Sequence, residues 1–142
     1  MKKLLLICSA LPLLFIAACG GSAQKDTYVF PAPGTVIDSA EMPVTTDALN
    51  DFTFYVVIRA DSDVAKGIYD VTATHGVNTA EGKFTMPKGA EKFKPAIRKG
   101  TNPEAFIIGF YAPKDTTFYD YFEVTGQKLN IGMKYLKSYT FE

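Results

Sequence analysis

Few residues in this chain are capable of chemistry. Cys8, Cys19 and a single histidine, His75, are its whole complement of thiols and imidazoles. A lone histidine rarely holds a metal, and His75 ends an alternating run just before Gly76, which reads as a partly exposed turn residue. Ser39, Ser62 and Ser138 sit in no G-x-S-x-G context, and a serine triad would have to draw its base from His75. Asp61 and Asp63 flank Ser62 in what reads as a solvated turn, short of the ligand set of a calcium loop. Asp120 and Glu123 fall on opposite faces of an alternating strand, whereas a glycosidase needs two carboxylates facing one cleft. No phosphate-binding loop or dinucleotide fingerprint is present. The expectation is a protein without catalysis, metal or cofactor.

Two groups of residues suit binding instead. Lys88, Lys92, Lys94, Arg98 and Lys99 stand against Glu91 alone, with Phe93, Pro95, Ala96 and Ile97 between them. The plain reading is a crossover whose Phe93 and Ile97 plug the core while the cations stay solvated. The functional reading is a surface for an anionic lipid, polysaccharide or protein. Tyrosine forms the second group, with Tyr119, Tyr121, Tyr135 and Tyr139 late in the chain and Tyr111 just before them. An apolar ring with a polar tip suits a half-buried sheet face or an interface. If Tyr119 and Tyr121 share a face with Tyr111, that face is the first place to look for a partner.

The N-terminus supplies the most specific pattern. Lys2 and Lys3 precede an apolar stretch from Leu4 to Ile16, too short for a permanent membrane span, and Ala17-Ala18 places small residues before Cys19. Ile16-Ala17-Ala18-Cys19 resembles the lipobox of bacterial lipoproteins. The resemblance implies removal of residues 1–18 and diacylglyceryl attachment to the Cys19 thiol. Stable anchoring takes more than one acyl chain, and the resemblance implies two or three. Cys8 lies inside the apolar run without a small residue before it and would leave with the signal. The mature chain would then have no thiol for a disulfide, a metal or a nucleophile. Gly20, rather than Asp, follows the cysteine and points to the outer membrane. Its periplasmic and surface faces stay open.

Residues 19–34 read as the lipidated cysteine and a flexible tether, rich in small and polar residues up to Asp26 and barred from regular helix by Pro31 and Pro33. Residues 35–142 read as one domain, and its period is two. Phe52, Phe54, Val56 and Ile58 alternate with Thr53, Tyr55, Val57 and Arg59, Tyr69, Val71 and Ala73 with Asp70, Thr72 and Thr74, and Phe84 and Met86 with Lys83 and Thr85. Phe106, Ile108 and Phe110 carry Ile107 and Tyr111 on the reverse face, which reads as a strand buried on both sides. Phe118 to Val124 forms another strand, and odd positions from Leu129 to Phe141 suggest a long one with a bulge near Gly132 or Lys137. Only residues 46–51 and 89–97 could hold a turn or two of helix. An all-β, antiparallel sandwich of about seven strands follows, immunoglobulin-like or transthyretin-like, with a small barrel as the alternative.

The charges of the whole chain balance, with a formal net charge of +0, which excludes the cationic field that nucleic-acid binding needs. The expected function is a lipid-anchored, non-catalytic envelope protein that meets the membrane through Cys19 and binds an envelope protein or glycan. In size, anchor and expected class the chain is similar to small outer-membrane lipoproteins of type VI secretion systems, an analogy of fold alone. A periplasmic hydrolase and a carrier of an apolar ligand are the other readings.

Overall fold

A computed structural model describes residues 27–47, 50–127 and 130–142. The expected signal segment, Cys19 and the first part of the expected tether lie outside the described residues. Among the described residues eight strands run in chain order: β1 (Val36–Asp47), β2 (Asn50–Ala60), β3 (Ile68–His75), β4 (Asn78–Thr85), β5 (Lys94–Lys99), β6 (Ala105–Tyr111), β7 (Phe118–Thr125) and β8 (Gly132–Tyr135). One 3₁₀ turn, Val64–Lys66, precedes β3. The protein is a β-sandwich of two antiparallel four-stranded sheets, ordered β1-β2-β3-β4 and β5-β6-β7-β8. Each sheet is a meander of consecutive strands. The immunoglobulin order, by contrast, distributes neighbouring strands between its sheets. The two ladders do not join into a barrel.

Alternation produces the core. Phe54, Val56, Ile58 and Ala60 of β2 and Tyr69, Val71, Ala73 and His75 of β3 point inward and are buried. Phe106, Ile108 and Phe110 of β6 meet them from the second sheet, and Phe54 and Phe106 lie with ring centroids 5.3 Å apart. Side chains that alternate this way leave one face of each sheet for water.

Two strands are missing from the periodicity, β1 and β5, and residues 46, 47, 50 and 51, read as a possible helical turn, belong to β1 and β2. Residues 89–97 show no helix: a turned segment at 89–93 leads directly into β5. Its short, cation-rich sequence carries little apolar alternation, because β5 is the edge of its sheet. Pro95 in β5 and Pro43 in β1 both occupy edge strands, where a missing N–H costs no ladder bond. These two edges meet across the sandwich, and the Ile97 N–H donates to Asp38 Oδ2 at 2.7 Å.

The expected bulge falls in a different strand. Ile108 pairs with Phe122 but Gly109 pairs with Asp120, so Tyr121 is an extra residue in β7. The bulge reverses the parity of the strand. Tyr119 and Tyr121 pack on the core ahead of it, and Phe122 and Val124 pack on the core beyond it. The long C-terminal strand is correspondingly short, with β8 ending at Tyr135. Residues 136–142 cross the open end of the sandwich, where Tyr139 and Phe141 pack against Phe110 at ring distances of 5.6 and 5.8 Å.

Candidate functional site

The outer face of the second sheet gathers part of the expected binding set. In β5, Lys94 and Arg98 stand on this face, Lys94 paired with Tyr111 and Arg98 with Ile107 of β6. In β7, Phe118 pairs with Tyr111, Asp120 with Gly109 and Glu123 with Ile107. The face therefore runs from cations on β5, through Ile107, Tyr111 and Phe118, to the acids Asp120 and Glu123 on β7. Asp120 and Glu123 share a face because of the bulge at Tyr121, contrary to simple alternation. Glu123 Oε1 accepts a hydrogen bond from the Asn102 side-chain amide at 2.7 Å.

Gly109 shapes this surface. A Cβ there would come within 2.5 Å of the Phe118 ring and 2.3 Å of the Tyr119 carbonyl oxygen. Without one, the Phe118 ring lies down across β6. It reaches Arg98, whose guanidinium carbon is 4.2 Å from the ring centroid, and packs edge-on to Tyr111 at 5.2 Å. A guanidinium stacked on an aromatic face keeps its N–H groups free in its own plane. Arg98, held over the Phe118 ring, can offer its N–H groups to a carboxylate or phosphate, with Lys94 on the same strand face.

The other expected residues go elsewhere. Lys88 and Lys92 are exposed on the loop between β4 and β5, and Lys99 is exposed at the end of β5 in the opposite parity from Arg98. Glu91 folds back on this loop, and hydrogen bonds from its own and the Gly89 N–H hold its carboxyl below the usual range. Tyr119 and Tyr121 do not share a face with Tyr111. Tyr121 is buried and its hydroxyl donates to the Thr85 carbonyl of the opposite sheet at 3.0 Å. Tyr119 stacks on Phe110 at 5.5 Å with planes 9° apart, and burial followed by the neighbouring Asp115 pushes its phenol up. Tyr121 belongs to the core, and Tyr119 is partly buried against it. Phe118 was not among the expected binding residues; the signal available for it was a glycine facing a phenylalanine across neighbouring strands.

The residues considered for catalysis also change character. His75 is fully buried (0 % exposed) rather than at a turn surface, because it continues the inward parity of Tyr69, Val71 and Ala73. It packs on Phe54 at 5.6 Å and under Gly126, where a Cβ would approach its Cδ2 to 2.6 Å. Neither ring nitrogen makes a hydrogen bond, although Glu104 Oε2 lies 3.4 Å from Nε2. Asp61 is not solvated either. Its Oδ1 accepts from the Ser62 hydroxyl at 3.1 Å and the Asp63 N–H at 2.8 Å, while Oδ2 binds the Lys83 ammonium, which also pairs with Asp70 at 3.3 Å. The Lys83 hydrogen bond, then that of Asp63, lowers the Asp61 carboxyl to about 2. Both oxygens are engaged, which leaves Asp61 a structural tie. Among the described residues no group of three or more His, Cys, Asp or Glu side chains is placed to hold a metal.

A depression of about 550 Å³ on the outer face of the first sheet is lined by Arg59, Asp70, Thr72, Glu81 and Lys83. Lys83 and Asp70 neutralise one another there. Among the described residues no helix is long and apolar enough to cross a membrane. Compared with family models, with curated proteins and with solved structures, the chain matches none.

Proposed function

We propose that this chain is a lipid-anchored, non-catalytic protein of the bacterial cell envelope, held at the outer membrane through Cys19, whose sandwich binds an acidic protein or glycan. The anchoring part rests on Ile16-Ala17-Ala18-Cys19. The binding part rests on one observation, the Arg98 guanidinium stacked on Phe118 beside Tyr111 on the face that also carries Lys94. Guanidinium forks pair bidentately with carboxylate and phosphate, and arginine and tyrosine are the residues that most often dominate interfaces. The non-catalytic part draws support from His75, whose ring is buried and hydrogen-bonded to no nucleophile.

Two measurements test this. Cys19→Ala should abolish palmitate labelling and release a folded domain from the membrane fraction; a variant that stays membrane-bound sinks the anchoring reading. For binding, an immobilised polyuronate and an acidic peptide array serve as probes at low and high salt. Arg98→Ala should weaken capture by about tenfold or more, equivalent to about 1.4 kcal/mol, and Lys88→Ala should change it little. Equal losses for both variants would reduce the effect to diffuse charge.

A further inference from the structure

The tether joins the sandwich at one defined end. Phe30 packs on the core, the Gly34 N–H donates to the Ala60 carbonyl at 2.7 Å, and the Ala60 N–H donates to the Thr35 carbonyl at 2.9 Å. Residues 30–35 therefore belong to the folded domain, pinned to the end of β2, and the sequence-based tether to residue 34 is too long. From Cys19 to Thr27 the backbone can span at most about 28 Å, at about 3.3–3.6 Å per residue. Whatever Cys19 is attached to lies within about 28 Å of Thr27.

That end exposes apolar side chains. Tyr28 is 40 %, Val29 82 % and Val36 51 % exposed. Beside them lies a depression of about 300 Å³ between Tyr28, Pro31, Val36 and Pro95, with Lys94 its one charged lining residue. Contiguous exposed apolar groups are disfavoured in water and mark a contact surface. Tyrosine with aliphatic neighbours and a lysine at the rim suits the boundary between lipid headgroups and acyl chains.

Resting on the anchoring reading above, we propose that Tyr28, Val29 and Val36 seat this end of the sandwich in the interface of the bilayer that carries the Cys19 lipid, with Lys94 against lipid phosphates. The short chain keeps this surface at high effective concentration near the membrane, so weak contacts suffice. The strands then rise from the membrane. The β3–β4 turn at Gly76-Val77 and residues 100–104 occupy the distal end, and the Arg98 face stands upright and accessible.

The chain contains no tryptophan, so single substitutions report position cleanly. Full-length lipoprotein carrying Val29→Trp, Val36→Trp or Val77→Trp is purified from envelopes and reconstituted into phosphatidylcholine–phosphatidylglycerol vesicles with plain or brominated acyl chains. The expected result is emission from the Val29→Trp and Val36→Trp proteins reduced by about half or more in brominated vesicles, with a blue shift. Val77→Trp emission should be unchanged. Adding Tyr28→Glu to Val36→Trp should relieve the quenching, which separates a native seat from insertion driven by the reporter. Unquenched emission at both positions in protein with acylated Cys19 overturns the proposal and returns the patch to a protein partner. Absence of acyl label on Cys19 would overturn the anchoring reading, and the seat with it.

Discussion

Asp61 and His75 carry the clearest single-residue consequences. Lys83 and the Asp63 N–H hydrogen-bond the Asp61 carboxylate and lower it from 3.8 to about 2. A carboxyl depressed in the folded state contributes stability that is fully present above its unfolded value and is lost as pH falls through its folded value. Urea unfolding between pH 6 and 2 should therefore show wild-type stability declining from about pH 4 towards 2, and Asp61→Asn should flatten that decline. An unchanged profile would mean that the ion pair is equally populated in the unfolded chain. His75 makes the opposite case. Its two unbonded ring nitrogens are buried, and unsatisfied polar groups cost about 1–3 kcal/mol. His75→Leu, apolar and small enough to pass Gly126, should leave the urea midpoint unchanged or raise it by the equivalent of about 1 kcal/mol. A clear loss would show that the imidazole does make a hydrogen bond in solution.

At the scale of elements, the bulge in β7 decides the placement of aromatic residues. Without the extra Tyr121, Tyr119 and Phe122 could not both pack on the core. Gly109 sits opposite this irregularity, and Phe118 fills the space a side chain would take. Gly109→Ala should push Phe118 off the sheet and cost about 1–3 kcal/mol, the range for overpacking. The same variant should weaken binding of an acidic probe, because Arg98 loses its stacking partner. Full binding with Phe118 displaced would show that the cation–π geometry plays no part. Strand alternation was legible in the sequence for β2, β3, β4 and β6. The parity reversal in β7 was not, since a bulge is chosen by the pairing partner and not by the strand's own pattern.

Across the whole molecule, two meanders face one another and their proline-bearing edges meet at Asp38 and Ile97. A carboxylate on an edge N–H both ties the sheets and blunts a strand that would otherwise offer free donors to another chain. Asp38→Ala should lower stability by about 1–2 kcal/mol in chemical denaturation. It should also increase light scattering at high protein concentration. A variant as stable and as monodisperse as the wild type would make this contact incidental. The expected candidate site divided at this scale: Lys94, Arg98 and Tyr111 came together on one outer face, while Tyr119 and Tyr121 turned toward the core.

The amino-acid order by itself determined the class of fold. Period-two alternation of Phe54, Val56 and Ile58, of Tyr69, Val71 and Ala73, and of Phe106, Ile108 and Phe110 can bury its apolar residues only as sheet against sheet. It also determined the motif at Cys19, which is read from consecutive residues and needs no fold. Tertiary structure decided what depends on pairing and on ends. It placed His75 in the core by carrying the inward parity of β3 to its last residue, and it engaged one oxygen of Asp61 through a lysine twenty-two residues away. It made a sheet edge of the cation-rich segment and laid Phe118 under Arg98 where Gly109 leaves room. The physical reason is common to all four. Local alternation sets which way a side chain turns relative to its neighbours, but only the register between strands sets what it meets there.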